Sequence, residues 1–205
     1  MTEAQSNRRT VIGNILLSLD GRVSGPAGEY DMGWIVPHAI SEGAREHVAR
    51  ITATATTVLL GRKNYEGFGG FWPSVAKDDA ADPRDRSFSE WLNAVEKVVF
   101  SATLKEAPWE NSRIVDAAPA EVVKDLRRQE GGDIVVLASG SVIKDLLRAD
   151  ELDRLSIILA PELVGGGARL FEDGLPGSSW RLADEVATTG SGALALFYDR
   201  VREGG

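Results

Sequence analysis

The chain has no cysteine, only two histidines, and no apolar run near the ~20 residues a membrane span needs. Without cysteine there are no disulfides, thiolate nucleophiles or cysteine metal sites, which fits a reducing compartment and gives a cytoplasmic expectation. Two imidazoles, His38 and His47, are too few for a multi-histidine metal site, so no metal is expected. Both fall on or near the first expected helix and read as surface or structural residues. Cations are also scarce. Against 31 Asp and Glu there are 23 Lys and Arg, a net charge of −8 that disfavours nonspecific nucleic-acid binding. Any phosphate must therefore be gripped by a local cationic pocket. The Gly-x-Ser-x-Gly elbow is missing, as are the glycine spacings of the P-loop and Rossmann fingerprints and any internal repeat.

What remains is ordinary globular material. Apolar residues at 43% of 205 are enough for a sizeable core, and one domain spanning residues 1–205 is expected. Near the start, Arg8-Arg9 and the apolar run after them superficially resemble a secretion signal. Asn14 interrupts that run, Asp20 follows it, and no small-residue cleavage site is evident, so a buried first strand is the reading.

Strand-like runs occur at 10–18, 57–61, 95–101, 113–116, 133–138, 154–160, 180–187 and 193–201. Several are continuous in Val, Ile and Leu, as expected of strands buried on both faces. Helical patterns lie between them. Ile40, Ala44, Val48 and Ile51 share the face of a first helix. Val122, Val123 and Leu126 mark a second behind Pro119, and Val142, Ile143, Leu146 and Leu147 a third, with Ser139 or Ser141 as N-cap. The alternation predicts an α/β layer architecture. Thr188-Thr189-Gly190-Ser191-Gly192 reads as a hairpin loop adding an antiparallel edge, and 76–86 reads as an exposed loop.

Four segments carry candidate chemistry. In Thr57-Val58-Leu59-Leu60-Gly61-Arg62-Lys63 a strand delivers a glycine and two cations to a helix start, a natural anion seat. The second, Val135-Val136-Leu137-Ala138-Ser139-Gly140-Ser141, is an apolar strand opening through small residues into an amphipathic helix. Small side chains there let a backbone approach a dinucleotide, although a serine-capped turn accounts for the same residues. Val98-Val99-Phe100-Ser101-Ala102-Thr103 ends in hydroxyls, which commonly just make turns. Finally, Asp20 in Leu17-Ser18-Leu19-Asp20-Gly21 can orient a substrate, donate a proton, or simply hold an Asx-turn. Gly165-Gly166-Gly167 admits either a backbone approach to a ligand or a flexible turn.

In this order the segments resemble the dihydrofolate-reductase-like superfamily, especially its riboflavin-biosynthesis reductase branch, the RibD C-terminal domain. Leu17-Ser18-Leu19-Asp20-Gly21 resembles the branch's first-strand motif. Leu60-Gly61-Arg62-Lys63-Asn64-Tyr65-Glu66 is similar to its Gly-Arg-x-x-Tyr/Trp-Glu turn, and Val99-Phe100-Ser101-Ala102-Thr103-Leu104 to the next cofactor-side strand. Ala138-Ser139-Gly140-Ser141 takes the place of the glycine-rich loop, where the family commonly carries paired glycines with a cis peptide. The run from Leu159-Ala160-Pro161-Glu162 through Gly165-Gly166-Gly167-Ala168-Arg169-Leu170-Phe171 is the nearest match. Together they span roughly residues 11–201.

The resemblance implies a dihydrofolate-reductase-like fold: a mostly parallel mixed sheet, helices on both faces, and a C-terminal antiparallel hairpin. It also implies an NADPH-dependent reductase, often a homodimer, passing hydride to a pyrimidine or pteridine-like substrate. Arg62 would meet the adenosine 2′-phosphate with Ser101 and Thr103 nearby. Gly61, Lys63 and Tyr65 complete that turn, and Ser139, Gly140, Ser141, Val142 and Ile143 would cradle the pyrophosphate. Asp20 would lie at the nicotinamide face, with Glu42, and behind it Asp31, as the acid of the first helix. Trp34 would stack on a flat heterocycle, and Arg45 would pair with a substrate phosphate or carboxylate. The Ser-Leu-Asp-Gly and Gly-Gly-Gly-x-Arg-Leu-Phe segments place a ribosylaminopyrimidine reductase ahead of a dihydrofolate reductase. No deaminase zinc set accompanies them. The rival from another class is an NADPH-binding protein without turnover. Nucleic-acid and membrane partners are not expected.

Overall fold

The computed structural model describes residues 8–184 and 186–202. Strand β1 (Val11–Ser18) leads through a 3-10 turn at Gly33–Ile35 into helices α1 (Val36–Ala39) and α2 (Glu42–Thr52). Next come β2 (Ala55–Gly61), α3 (Arg62–Val75), α4 (Pro83–Ala94), β3 (Glu96–Phe100) and β4 (Ser112–Val115). These are followed by α5 (Pro119–Leu126), β5 (Asp133–Leu137), α6 (Gly140–Arg148) and β6 (Arg154–Ala160). The last strands are β7 (Ser179–Leu182), β8 (Ala187–Thr188) and β9 (Leu194–Val201).

The strands form one nine-stranded sheet in the order β4-β3-β2-β5-β1-β6-β9-β7, with β8 also on β9. Every pairing from β4 across to β6 is parallel, and β9 runs antiparallel to β6, β7 and β8. The mixed sheet and C-terminal hairpin are those expected from the sequence. The parallel pairings send the carboxyl ends of β1 to β6 to one edge. Because β5 inserts between β1 and β2, the strand order reverses there and leaves the crevice in which open α/β sheets bind ligands.

Side-chain alternation divides the core between the two faces. On one, Leu59, Ile134, Val136 and Val98 pack with Val123 and Leu126 of α5 and Ile143 and Leu146 of α6. On the other, Val58, Leu60, Val99 and Val135 pack with Ile51 of α2, Tyr65 of α3 and Leu92 of α4. Fully burying such a leucine stabilises the fold by about 1.5–3 kcal/mol.

Three sequence expectations are corrected by the structure. Helix α4 begins inside the stretch expected to be loop: Asp82 accepts from the Arg84 N–H and Pro83 occupies the first turn. Its carbonyl end is closed by the fully buried Lys97, whose Nζ donates to Leu92 O (2.7 Å), Asn93 O (3.1 Å) and Val95 O (2.8 Å). Ile40 ends α1 in an exposed position, so the buried stripe of α2 is Ala44, His47 and Ile51. The run expected as one strand over 180–187 divides into β7 and β8. Of the surface and structural readings given for the histidines, the structure shows the buried one: His38 is 5% and His47 3% exposed.

His47 lies 2.7 Å from Ser156 Oγ, which also accepts from Asn14 Nδ2, and stacks on Phe197 at 4.2 Å. Burial, aided by Arg50, pushes its imidazole down to about 4. The unfolded chain takes up this proton near pH 6.5, and the folded chain only near 4. Stability is therefore complete above pH 6.5 and declines as the pH falls. Urea denaturation should show about 2 kcal/mol less stability at pH 5 than at pH 7.5 from this residue. In His47→Gln most of that difference should vanish; an unchanged slope would contradict the assignment.

Candidate active site at the carboxyl edge

The cleft is set by how β2 and β5 end. After Leu137 the chain turns through Ala138 at φ +50°, a left-handed conformation that costs a residue with a Cβ roughly 1 kcal/mol, and the peptide bonds of this loop are trans. Ser139 follows, 1% exposed. It occupies the N-cap position of α6, but its hydroxyl does not cap the helix. Instead Ser139 Oγ accepts from the Gly61 N–H (2.9 Å) and donates to Leu137 O (3.0 Å), tying β2 to β5. Among the described residues the first-turn N–H groups of Gly140, Ser141 and Val142 consequently have no protein acceptor, while the Ile143 N–H is bound to Ser139 O at 3.0 Å. A Cβ added to Gly61 would sit 3.7 Å from Ser141 Oγ and 3.9 Å from Ser139. The glycine thus keeps open the gap between the starts of α3 and α6.

One wall of that gap carries the expected cation. Arg62 opens α3 with its side chain half exposed, Nε on Glu66 (2.9 Å) and Nη1 donating to Thr103 Oγ1 (2.8 Å). Ser101 Oγ accepts from the N–H groups of Thr103 (3.2 Å) and Leu104 (2.9 Å), shaping the turn after β3 that presents Thr103. Arg62, Ser101, Thr103, Gly61, Ser139, Gly140 and Ser141 therefore come together as the sequence suggested. The remaining cofactor candidates take other positions. Lys63 pairs with Glu29. Tyr65 is buried, with its hydroxyl accepting from the Trp109 N–H at 3.0 Å, and so acts as scaffold. Val142 and Ile143 send their side chains into the core, so only the Val142 N–H faces the cleft mouth.

On the other side the candidates separate. Asp20 accepts from Ser18 Oγ (2.7 Å), Arg22 Nε (3.2 Å), Val164 N (3.1 Å) and Gly165 N (3.0 Å). These donors, the Ser18 hydroxyl first, hold its carboxyl well below the usual range. It pins the β6 loop to the end of β1 and has no proton to give at neutral pH. The backbone approach that Gly167 allows is to the chain itself, since a Cβ there would lie 2.2 Å from Ser24 O. Asp31 is equally engaged, accepting from the Ala27 N–H at 3.1 Å. Glu42 and Arg45 belong to a network between α2 and α4. Both guanidinium arms of Arg45 reach Asp85 at 2.7 Å, while Arg84 links Asp82 (3.1 Å) and Glu42 (3.4 Å). Trp34 is half buried, and its Nε1 has no hydrogen-bond partner among the described residues.

A pair not singled out in the sequence lies beside these. The buried His38 has Nδ1 2.9 Å from Ser191 Oγ and Nε2 3.2 Å from Glu162 Oε1. The two residues are separated by 124 positions, so only the fold reveals the pair.

A parallel sheet with this strand reversal and an antiparallel C-terminal strand is the dihydrofolate-reductase-like fold. Within it, the RibD C-terminal domain model matches residues 9–194, and the chain belongs to that family. It is 25% identical over 198 residues to the uncharacterized protein YyaP of Bacillus subtilis, covering 97% of this chain and 98% of the relative. Similarity to the uncharacterized YwjB of the same organism is 23% over 166 residues, 81% and 84% of the two chains. A putative riboflavin biosynthesis protein from Shewanella sp. PV-4 superposes with TM-score 0.69 at 21% identity, over 94% of this chain and 99% of that one. The Thermotoga maritima diaminohydroxyphosphoribosylaminopyrimidine deaminase/5-amino-6-(5-phosphoribosylamino)uracil reductase gives 0.63 at 14% identity, with 95% of this chain on 57% of that one. Enterococcus faecalis dihydrofolate reductase, solved with NADP(H), gives 0.53 at 15% identity over 94% and 97%.

Ser139→Ala should leave the part-buried Gly61 N–H unpaired and destabilise the fold by about 1–3 kcal/mol in chemical denaturation. A change within 0.3 kcal/mol, roughly the error of such measurements, would show that the strand ends do not need the hydroxyl. Asp20→Asn should lower the melting temperature at neutral pH and flatten the acid limb of unfolding. The depressed carboxyl stabilises above its unfolded value and loses that contribution as pH falls.

Proposed function

We propose that residues 1–205 act as one NADPH-dependent reductase of a flat pyrimidine or pteridine-like heterocycle. The observation that carries this reading is the set of uncapped N–H groups at Gly140, Ser141 and Val142, open because Ser139 is turned onto Gly61. Such a helix start attracts phosphate through its free donors and dipole, each contact contributing about 0.3–2 kcal/mol. The pyrophosphate would lie across α6 with the adenosine end toward Arg62, where Thr103 already steadies the guanidinium for a 2′-phosphate. Bound nicotinamide supplies a hydride; the protein supplies orientation, phosphate grip and exclusion of water. Trp34 offers a ring for the heterocycle to stack on.

Within this class the substrate we favour is 5-amino-6-(5-phosphoribosylamino)uracil or a close relative. Membership of the RibD C-terminal family and the named activity of the Thermotoga neighbour support it. Dihydrofolate is the second substrate, supported by the Enterococcus neighbour alone. The homodimer and the cytoplasmic location rest on the family resemblance and the lack of cysteine. Among the described residues, no helix is long and apolar enough to cross a membrane.

Thermal shift against NADPH and NADH tests the cofactor assignment. NADPH should raise the melting temperature clearly more than NADH, and Arg62→Ala should weaken NADPH binding by about tenfold while leaving NADH unchanged. Equal or absent shifts would reject it. NADPH oxidation with the uracil substrate and with dihydrofolate then assigns the reaction, and binding without oxidation of either would favour a non-catalytic binding protein.

A further inference from the structure

Reduction of a C=N or C=O bond needs more than hydride. When the carbon accepts hydride, the π electron pair moves to nitrogen or oxygen, and that atom must take a proton. The acids expected from the sequence do not supply it: Asp20 is held ionised by its donors, and Glu42 is exposed and turned toward Arg84 of α4. The structure offers another group at the same edge. Glu162 follows the end of β6, which lies beside β1 with Ala160 opposite Ser18. Its carbonyl accepts from the Leu19 N–H at 2.9 Å, one residue from Asp20, and the following loop is pinned by Asp20. The β1 strand joins it to the cofactor side, because the Ala138 N–H donates to Asn14 O at 2.9 Å.

The Glu162 side chain is 46% exposed and the His38 side chain 6%. Oε1 faces His38 Nε2 at 3.2 Å; Oε2 has no partner among the described residues. Behind the imidazole, Ser191 Oγ lies 2.9 Å from Nδ1 and 2.9 Å from Thr189 Oγ1. Thr189 is 1% exposed and is fixed by the Gly43 N–H, which donates to its carbonyl at 3.3 Å. The result is an unbroken line Thr189–Ser191–His38–Glu162, buried at one end and exposed to solvent at the other. His38 ends its approach to Glu162 in the only imidazole–carboxylate contact within 4.0 Å among the described residues.

We propose that Glu162 is the catalytic acid on the substrate side and that His38 is its positioning residue. In this step the proton of a Glu162 O–H on the outward oxygen Oε2 passes to the nitrogen or oxygen that received the π pair, while His38 Nε2 keeps its place against Oε1. The O–H bonding pair stays on Glu162, and solvent returns a proton to its exposed half. When Glu162 is ionised, the same oxygen accepts from N–H donors beside the reducible bond and so selects substrates that carry them. The proton step rests on the nicotinamide reading above; the recognition of N–H donors does not.

Glu162→Gln and His38→Gln separate the two. Binding of 2,4-diaminopyrimidine, with 2,4-dimethylpyrimidine as the ring without amino donors, is followed by calorimetry. The wild type should prefer the diamino ring, and Glu162→Gln should lose at least tenfold of that affinity while NADPH affinity stays constant. In turnover, Glu162→Gln should lower kcat about 100-fold with KM for NADPH unchanged and raise the solvent deuterium isotope effect. His38→Gln should lower kcat less and raise the same isotope effect, which a merely structural loss would not do. Failure of the wild type to prefer the diamino ring, or Glu162→Gln retaining its kcat within twofold, would overturn the proposal. If NADPH neither binds nor is oxidised, the reductase reading and the proton step fail together, and the diaminopyrimidine comparison still decides whether Glu162 recognises N–H donors.

Discussion

The hydroxyl of Ser139 is the constraint on which the cleft depends. It stands where a helix cap would stand, yet it bonds the end of β2 and the carbonyl of Leu137. One side chain thereby joins two neighbouring strand ends and leaves the first turn of α6 open. Had the hydroxyl turned back onto the helix, an N–H of that turn would be satisfied internally and the Gly61 N–H would be orphaned. A Cβ on Gly61 would already touch Ser141 Oγ at 3.7 Å, so the glycine leaves the space between the two helix starts unfilled. The Arg62–Thr103 contact then follows from register, since Gly61 lies opposite Phe100 and the next residues of both chains leave the sheet together.

The two sides of the site are built differently. On the side proposed for the cofactor, strand ends of a parallel sheet fix backbone donors, and Arg62 and Thr103 contribute side chains from the wall. The side proposed for the substrate is made of loops. Asp20 ties the segment after β1 to the loop after β6, and His38 ties α1 to that loop and to the β8–β9 hairpin. Such loops hold their geometry only while these polar contacts persist, which is why Asp20 serves as a fastening rather than as a reagent.

Much of the fold was legible because the parallel strands are short apolar runs whose glycine and serine ends mark the loops. Helix α3 was legible only at its start, where Gly61-Arg62-Lys63 reads as a helix N-terminus, and α4 was not. Gly67, Gly69, Gly70 and Pro73 obscure the helical period of α3, which is held instead by Tyr65, Phe68 and Trp72 on the sheet. The start of α4 was written in Asp82-Pro83, but the surrounding Asp and Ala suggested a loop. That omission propagated to the site. With α4 unseen, Arg45 looked free to grip a substrate, whereas Asp85 holds it bidentately. The His38–Glu162 pair was beyond reach for another reason, because its members meet only through the β1–β6 pairing and the hairpin.

Amide hydrogen exchange with and without NADPH addresses the central claim directly, because it reports the backbone donors themselves. If the uncapped turn of α6 holds the pyrophosphate, added NADPH should slow exchange at Gly140, Ser141 and Val142 and in the turns at 61–63 and 101–104. The interior amides of β1 and β5 should change little. Protection confined to other parts of the chain, or none at saturating NADPH, would contradict the account.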